Sequence, residues 1–469
     1  MKKWTGIILS IIVVLILISY FAIGFLIENT LYKNINSIPK SSAFNIQLNK
    51  YHRGWFSSRA AISLKMHIPA QTTTDNNGIT KTEPSADIDM EFPVLIKHGP
   101  FIITSYGLRF GAGLVTTQPE THYQAFISYL NRTIFRYTLP SFAMEGKIGQ
   151  NEGNFQFSWQ GLSSLIRVSS NLDHIDGNFK LLGMKGAANN PSNPQNNLTF
   201  DIGKISYDYQ FKQHQDWLWI GKTRFKIPSL DLNLAGKHAF GLTQFIFQAG
   251  SDVTSDQMNV DLKVSLQKLL VMNQNYGPGV FHLSIRNLDP AVAAQINQQE
   301  FNLIQNNSDP NLIILALATE SPKLLAKGAV FELSEMNLTV PEGKITGNFK
   351  LAVPQNQGND LSHLMQNIYG EGHFRAPIAT IKSMVTASLK SNNSQPNANV
   401  QSNSPPINTD PTQILVKPEN EALQADNLLK NLVDKGFLKI EGNDYSLTFK
   451  IENQKILING VLFHPEMMK

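Results

Sequence analysis

Apolar and polar residues alternate with a period of two along most of this chain. Successive side chains of a strand point to opposite faces, so alternation is the pattern of an antiparallel sheet with one covered face. The clearest runs lie at 44–48, 62–68, 88–92, 155–159, 207–211, 258–266, 281–285, 336–340, 349–353 and 445–451. The pattern therefore predicts a mainly antiparallel β body.

Helical spacing is confined to a few segments. Residues 290–305 and 310–327 each begin at a proline preceded by an aspartate, which is typical of a helix start. Further helical patterns cover 119–137, 361–369, 377–389 and 419–435. The predicted fold class is a single N-terminal transmembrane helix plus a mainly antiparallel β body with a few helices, a β-rich α+β fold.

The N-terminus carries the longest uncharged run. Residues 7–27 contain 21 residues without a charge, and as a helix they would span roughly 31 Å, close to the hydrocarbon thickness of a bilayer. Lys2 and Lys3 favour a cytoplasmic N-terminus. The alternative is a cleaved signal peptide, whose apolar region of about 7–15 residues ends at a small-x-small site. The longer run, followed by Glu28, favours a retained anchor.

The chain divides into segments of different character. Residues 390–418 are rich in Asn, Pro and Ser and have almost no apolar residue before Ile414, so they cannot form a core. The predicted segments are 1–6 as a cytoplasmic tip, 7–27 as the transmembrane anchor, 28–389 as the β-rich body with helices near 290–327, 390–418 as a disordered insertion, and 419–469 as a helix plus β-hairpin that completes the body.

Composition excludes several classes of site. Charged residues make up 16% of the chain, the net charge is +4, and the basic residues are scattered. A nucleic-acid-binding protein would concentrate them into a patch, so nucleic acid is not expected as a partner. The chain has no cysteine, which excludes disulfides, thiolate metal sites and cysteine nucleophiles.

Motifs with a known catalytic mechanism are absent from the sequence. There is no nucleophile elbow, no zinc-binding His pair on a helix and no phosphate-binding loop. Asp252, Asp256 and Asp261 lack the glycine and terminal glutamate of a calcium loop. We therefore predict no catalytic residue, no cofactor and no metal. An alternative hypothesis is a hydrolase site that the fold assembles from His52, His98 and Asp89.

Two short sequences recur. Residues 175–181 and 345–351 agree at six of seven positions, and both contain Gly-Asn-Phe-Lys-Leu. Because Gly-Asn suits hairpin turns, we expect turns at both places, followed by a strand that starts at the phenylalanine. Similarly, His98-Gly99-Pro100 has a counterpart in Tyr276-Gly277-Pro278, each between strand patterns.

The motifs together resemble a known family. Tyr51-His52-Arg53-Gly54-Trp55-Phe56-Ser57-Ser58 and His98-Gly99-Pro100 are similar to the YdgA family of bacterial membrane-anchored proteins (domain of unknown function 945). Later matching residues include Tyr276, Gly277, Pro278, Asn459 and Gly460. The resemblance implies a single-pass protein of the Gram-negative inner membrane, with a cytoplasmic N-terminus and a periplasmic body. It supplies no catalytic residue.

The residues themselves favour a structural role for these motifs. We expect Arg53 to Ser58 to form a turn whose Trp55 and Phe56 cover a sheet edge beside the membrane. The predicted function is that of a non-enzymatic envelope scaffold, or of a carrier for an apolar ligand such as lipid. AsmA-like envelope proteins have a similar layout of anchor and strands. The alternatives are the hydrolase and a partner-binding module that forms homo-oligomers through its sheet edges.

Overall fold

The structure of the chain is a computed structural model. The structure describes residues 2–36, 44–68, 71–74, 80–83, 86–104, 107–117, 123–130, 132–148, 153–190, 195, 197–305, 319–355, 366–393 and 419–464. The chain forms two compact units. Unit 1 comprises Met1–His238, Ile246–Met258 and Asp289–Leu324, and unit 2 comprises Ala239–Phe245, Asn259–Leu288 and Leu325–Lys469.

Strands dominate the described residues. The first eighteen are β1 Phe44–Arg53, β2 Ser57–Ile68, β3 Gln71–Thr74, β4 Thr80–Glu83, β5 Ala86–His98, β6 Phe101–Thr104, β7 Gly107–Phe110, β8 Gly113–Thr117, β9 Tyr123–Ile127, β10 Thr133–Leu139, β11 Phe142–Ile148, β12 Gly153–Trp159, β13 Leu162–Val168, β14 His174–Leu181, β15 Met184–Asn189, β16 Leu198–Ile202, β17 Ile205–Gln215 and β18 Leu218–Leu234.

The remaining strands and the helices follow in the second half. The strands are β19 Lys237–Thr254, β20 Gln257–Leu266, β21 Lys268–Val271, β22 Gln274–Tyr276, β23 Gly279–Leu288, β24 Val330–Val340, β25 Gly343–Ala352, β26 Tyr369–Pro377, β27 Lys439–Glu441, β28 Asp444–Glu452, β29 Lys455–Ile458 and β30 Val461–Phe463. The helices are α1 Lys2–Asn36, α2 Pro290–Gln305, α3 Ile378–Asn393 and α4 Glu419–Asp434.

Unit 1 is built on antiparallel pairing between neighbouring strands. One series runs β1, β2, β5, β8, β9, β10, β13, β14, β17 and β18. From β18 the pairing continues through β16, β15 and β12 to β11. The β3–β4 and β6–β7 pairs are separate hairpins. This pairing explains the alternation in the sequence, because one face of each strand is more apolar than the other.

The core of unit 1 lies between α1 and the first strands. Ile27 of the helix packs into a cluster with Val94, Ile96 and Val115, and all four side chains are buried. Ile35 and Leu48 extend the same cluster toward the end of α1. From residue 7 to residue 27 the helix has no charged residue on any face, so this part fits both the core and a lipid environment.

Unit 2 is a second antiparallel series with helices. Its strands pair in the order β23, β24, β25, β26 and β28, and β28 also pairs with β27 and β29. α3 packs against α4. α4 is followed by Gly436 with a φ of 76°, and the amide of Gly436 donates to the carbonyl of Val433, a helix end that favours glycine.

The fold class is confirmed: one N-terminal apolar helix precedes a β-rich α+β body. The predicted helix over 290–305 is α2, where Asp289 Oδ1 accepts hydrogen bonds from the amides of Ala291 at 2.8 Å and Val292 at 3.3 Å. Of the predicted helix over 310–327, residues 319–325 are helical, and 310–318 lie outside the described residues.

Three sequence predictions need correction. The helix predicted over 119–137 is wrong, because Tyr123–Ile127 and Thr133–Leu139 are strands, which pair with each other and with β8 and β13. Tyr369 begins β26 rather than ending a helix. α3 continues through Asn393, so the predicted insertion starts later than residue 390; its residues 394–418 lie outside the described part.

The repeated Gly-Asn pairs are not in turns. Gly177 and Gly347 lie inside β14 and β25. A Cβ at Gly177 would lie 2.6 Å from the Tyr209 hydroxyl, and one at Gly347 would lie 2.7 Å from the Met336 methyl and 3.4 Å from the Phe374 ring. The glycines leave room for large neighbouring side chains, and such a close approach explains glycine within a strand.

Candidate functional site: a helix clamp and an apolar groove

Two of the family motifs meet at α1. His98 is the last residue of β5 and is 1% exposed. Its Nδ1 lies 3.2 Å from the Tyr20 carbonyl, and its Nε2 lies 3.1 Å from the Ser58 hydroxyl. Since a carbonyl can only accept, Nδ1 carries the proton and the Ser58 hydroxyl donates to Nε2. The neutral imidazole thus joins α1, β2 and β5, an arrangement that we call the helix clamp.

Burial also affects the ionisation of the clamp. Desolvation lowers the pKa of His98, and the positive charge of Arg53 acts in the same direction, although the hydrogen bond to Tyr20 opposes both. Gly24 makes the close approach possible, because a Cβ there would lie 2.6 Å from the His98 ring. The clamp therefore holds a neutral histidine against the helix at Gly24, a position that has no side chain.

Arg53, Trp55 and Phe56 extend the clamp along α1. The Arg53 guanidinium lies over the rings of Phe21 and Phe25, at 5.1 and 5.4 Å from their centroids. It also forms an ion pair with Glu28 at 3.2 Å. Two pairs of aromatic rings complete the contact, Trp55 with Phe21 at 5.3 Å and Phe56 with Tyr20 at 5.2 Å between centroids. Cation–π and aromatic contacts thus fix the β1–β2 turn to the helix.

Two glycines of the motifs are required by the backbone. Gly54 donates its amide to the carbonyl of Ser57 at 3.0 Å, and a Cβ at Gly54 would lie 2.4 Å from that oxygen. Gly99 has a φ of +133°, and a Cβ there would lie 2.0 Å from the Tyr20 ring. The next residue, Pro100, accepts a hydrogen bond from the Tyr129 hydroxyl at 2.9 Å.

The other motif residues lie in unit 2 and have local partners. Gly277 has a φ of 99° and precedes a cis peptide bond to Pro278. Its amide donates to the carbonyl of Thr339 at 2.7 Å, while the Tyr276 hydroxyl donates to Gln274 at 2.8 Å. These contacts close the connection between β22 and β23.

The Asn459-Gly460 motif also has a structural position. The Asn459 side chain accepts from the amide of Thr448 at 2.9 Å and donates to the carbonyls of Gly436 and Phe437, each at 3.2 Å. It joins the segment after α4 to β28. Within unit 1, the structure brings together Arg53 to Ser58 with His98 to Pro100.

An apolar groove lies on the sheet beside the clamp. One cross-strand row consists of Val115, Ala125, Phe135 and Ile166, each paired with the next. The neighbouring row contains Tyr123, Tyr137 and Ser164. Side chains two residues apart on a strand share a face, so both rows face the same side. The groove has a volume of about 630 Å³ and is also lined by Ile62, Phe92 and Val94.

The side chains of this groove are partly open to solvent. Phe135 is 45% exposed and Tyr123 is 53% exposed, although both lie on the same face as the core. Ligand pockets of about 300–1,000 Å³ are lined mainly by apolar and aromatic groups. The groove has the size and chemistry of such a site for an apolar molecule.

The groove continues directly from the contact surface of α1. Val94 and Val115 belong to the buried cluster around Ile27 and also line the groove. Ile62 and Ala125 pack against the cluster and line the groove as well. An apolar molecule in the groove would therefore lie against the same strands that hold the helix.

Unit 2 contains a polar arrangement that the sequence did not reveal. His282 Nε2 lies 2.6 Å from Asp261 Oδ1, and His282 Nδ1 lies 3.0 Å from the Ser334 hydroxyl. The order Ser–His–Asp is that of a nucleophile, a base and a carboxylate that orients the base. The three residues lie far apart in the sequence, so only strand pairing brings them together. A bulge between His282 and Leu283 in the β23–β24 pair lies at this position.

The carboxylate of this arrangement is stabilised in its charged form. Desolvation raises the pKa of Asp261. Hydrogen bonds from His282 and Ser284, together with the charges of His282 and Arg286, lower this pKa by more than desolvation raises it. The net pKa is below the usual value. Asp261 therefore stays ionised and keeps its hydrogen bond to His282 above that pKa.

The histidines and carboxylate proposed from the sequence are not brought together. Asp89 and His98 lie nine residues apart on one strand, which places them roughly 30 Å from each other. Asp89 forms an ion pair with Lys65 at 3.2 Å. His52 pairs with Arg59, on the face opposite to Ser58. The hydrolase site built from His52, His98 and Asp89 is therefore wrong.

Comparison with known proteins gave one match to a family. Neither the search of curated proteins nor the search of solved structures found a match. A family model described as "Bacterial protein of unknown function (DUF945)" matches residues 1–466. Because that match covers nearly the whole sequence, the chain belongs to the DUF945 family of bacterial proteins of unknown function.

Proposed function

We propose that this protein is a single-pass, inner-membrane-anchored periplasmic protein that holds an apolar ligand, such as a lipid acyl chain, in the groove of unit 1. The observation that carries the proposal is the half-exposed apolar groove that continues from the contact surface of α1. It favours a ligand-holding protein over a plain scaffold, since a scaffold has no need for an open apolar face beside its anchor.

The packing of α1 supports a retained anchor over a cleaved signal peptide. Residues Val14–Asn36 are long and apolar enough to cross a membrane. The same helix supplies Ile27 and Ile35 to the buried core and the Tyr20 carbonyl to His98. Cleavage after the apolar run would remove part of the core of unit 1. Lys2 and Lys3 favour the cytoplasm for the N-terminus, which leaves the body in the periplasm.

The test of ligand binding uses two adjacent serines of β13. Ser164 lines the groove, whereas Ser163 points to the opposite face of the sheet, because neighbouring side chains alternate. We would purify the full chain, Ser164→Trp and Ser163→Trp in the same detergent. Lipid bound per protein would be measured by extraction and mass spectrometry. We expect Ser164→Trp to fill the groove and lose lipid, while Ser163→Trp keeps the wild-type amount.

Lipid that surrounds α1 is common to all three proteins, so the difference reports on the groove. Equal lipid content in Ser164→Trp and in wild type would show that the groove holds no lipid. A loss in both tryptophan variants would indicate a general defect of the sheet and would also count against the proposal. Recovery of a mature chain that lacks residues 1–27 would overturn the anchor separately.

A second candidate function is favoured by the Ser334–His282–Asp261 arrangement. It would make unit 2 a serine hydrolase of the envelope. In that reaction the Ser334 oxygen attacks an ester carbonyl as His282 takes its proton, and His282 then returns the proton to the leaving alcohol. Water would cleave the resulting acyl-enzyme by the same route and regenerate the serine.

A labelled fluorophosphonate provides the test of this second function. Phosphonylation of the full chain at Ser334, abolished in Ser334→Ala and in His282→Gln, is the expected result. Ser383→Ala serves as the control, because Ser383 is an exposed serine of α3 whose hydroxyl donates to the carbonyl of Ala379 at 2.9 Å. Absence of labelling in the wild type, or equal labelling of the Ser334→Ala variant, would rule the hydrolase out.

A further inference from the structure

The body packs against α1 at positions that belong to its apolar span. α1 contains 35 residues and is therefore about 52 Å long, well beyond the roughly 30 Å of a bilayer core. The first charged residue after the apolar run is Glu28. Tyr20, which contacts His98 and Phe56, lies eight residues earlier, which is about 12 Å deeper along the helix axis.

The exposed apolar side chains of the helix set the same boundary. Leu26 is 59% exposed, and Phe25, whose ring also contacts the Arg53 guanidinium, is 52% exposed. Large apolar side chains with this exposure require an apolar surrounding. The bilayer therefore reaches at least to Leu26. Any part of the body that packs against the helix near Tyr20 must therefore lie deeper in the bilayer than Leu26.

The β6–β7 hairpin lies at this depth. The Tyr20 hydroxyl donates to the carbonyl of Phe101 at 3.0 Å. One face of the hairpin is formed by the cross-strand pairs Phe101 with Phe110 and Ile103 with Leu108. Ile103 is 75% exposed, Leu108 56% and Phe110 67%. No described residue covers this apolar face.

The turn after β1 supplies a second set of exposed aromatic residues. Trp55 and Phe56 contact α1 at Phe21 and Tyr20 and are more than half exposed. The Arg53–Glu28 ion pair marks the polar boundary next to them. A tryptophan beside an arginine is typical of the interface between hydrocarbon and headgroups.

We propose that this edge of unit 1, formed by Trp55, Phe56, Phe101, Ile103, Leu108 and Phe110, is inserted into the outward-facing leaflet of the membrane that α1 spans. The occupant of the apolar hairpin face is thus lipid hydrocarbon. The inference rests on the proposed anchor and adds to it: α1 does not hold the body at a distance, and the groove opens next to the leaflet surface.

The absence of cysteine makes the depth of single residues measurable. We would place one cysteine at Ile103, Leu108, Ile18 or Leu234 of the full chain, attach a nitroxide and reconstitute each variant in nanodiscs of phosphatidylethanolamine and phosphatidylglycerol. Collision rates with oxygen and with a nickel chelate report depth. Ile18 is a reference on the helix, and Leu234, which is 50% exposed on β18, is a reference for an aqueous site.

We expect oxygen-to-nickel ratios at Ile103 and Leu108 that resemble the ratio at Ile18 and exceed the ratio at Leu234 several-fold. Ratios at Ile103 and Leu108 equal to that at Leu234, with a lipid-like ratio at Ile18, would overturn the insertion and leave the anchor intact. An aqueous ratio at Ile18 would instead overturn the anchor, and the insertion with it.

Discussion

The His98 imidazole lies directly against the Cα of Gly24, where a Cβ would be 2.6 Å from the ring. One residue comes from the apolar N-terminal helix and the other from the end of β5. Their contact makes the helix part of the folded body, and it makes glycine necessary at a helical position that would otherwise prefer alanine.

Gly24→Ala should therefore lower stability, although helix propensity alone predicts a gain of about 1 kcal/mol. The added methyl group would displace His98 and weaken its bond to Tyr20. Thermal unfolding of the detergent-solubilised full chain checks the sign. Ala22→Leu is the control, because Ala22 lies on the exposed side of α1; its unfolding midpoint should stay at the wild-type value.

His98→Ala should lower the free energy of unfolding by about 2–4 kcal/mol, since it opens a cavity and leaves the buried Ser58 hydroxyl without its acceptor. Denaturant unfolding of the same preparation measures the loss. The comparison is His52→Ala, at an exposed position on the opposite sheet face, for which we expect a change below about 0.5 kcal/mol. Equal effects of the two substitutions would contradict the helix clamp.

Acid should weaken the same clamp. Burial lowers the pKa of folded His98 below its ordinary value of 6.5. The Arg53 charge lowers this pKa as well, and the hydrogen bond to Tyr20 raises it without reversing the shift. Between the folded pKa and 6.5 the unfolded chain binds more protons, so stability falls as the pH drops through 6.5 toward the folded value. Unfolding midpoints measured from pH 8 to 5 should show this loss, and His98→Gln should remove that part of the pH dependence.

Arg53→Gln should lower stability by about 1–2 kcal/mol, because its ion pair with Glu28 is half-buried and its guanidinium also contacts two aromatic rings. Lys50→Gln provides the matched case, an ion pair with Glu91 whose side chains are largely exposed. Its loss should be less than about 1 kcal/mol. Denaturant unfolding measures both losses, and we expect a larger loss of unfolding free energy for Arg53→Gln than for Lys50→Gln.

Gly177→Val should destabilise unit 1 by about 1–3 kcal/mol, because the new side chain would overlap the Tyr209 hydroxyl and the carbonyl of Leu165. Asn178→Val tests the alternative that any change in β14 is harmful. That side chain points to the other face, and valine favours strands, so we expect no loss. Similar losses for both would contradict the assigned role of the glycine.

Local pattern was enough to predict much of the fold. Alternation located the strands at residues 207–211 and 445–451 because side chains of a strand alternate between faces whatever the strand pairs with. Asp289 and Pro290 located the start of α2 for a similarly local reason, since a cap satisfies amides within one turn. The helix expected over 119–137 failed because short apolar segments fit both periods, and only pairing with β8 and β13 decides between them.

The candidate sites depended more on tertiary structure. Motif residues 53–58 and 98–100 could be singled out from the sequence, but their contact with Tyr20 and Gly24 could not. The same holds for Asp261, His282 and Ser334, which strand register brings into one hydrogen-bonded series.

The apolar span, the β-rich class and the shared family motifs can be read along the chain, because length, periodicity and local turn chemistry are properties of neighbouring residues. That the apolar helix is also a core element, and that the groove begins where the helix contact ends, became visible only in the folded protein. An apolar residue has the same sequence pattern whether it is covered by lipid, by a strand or by a ligand, and packing between distant segments determines which of these covers it.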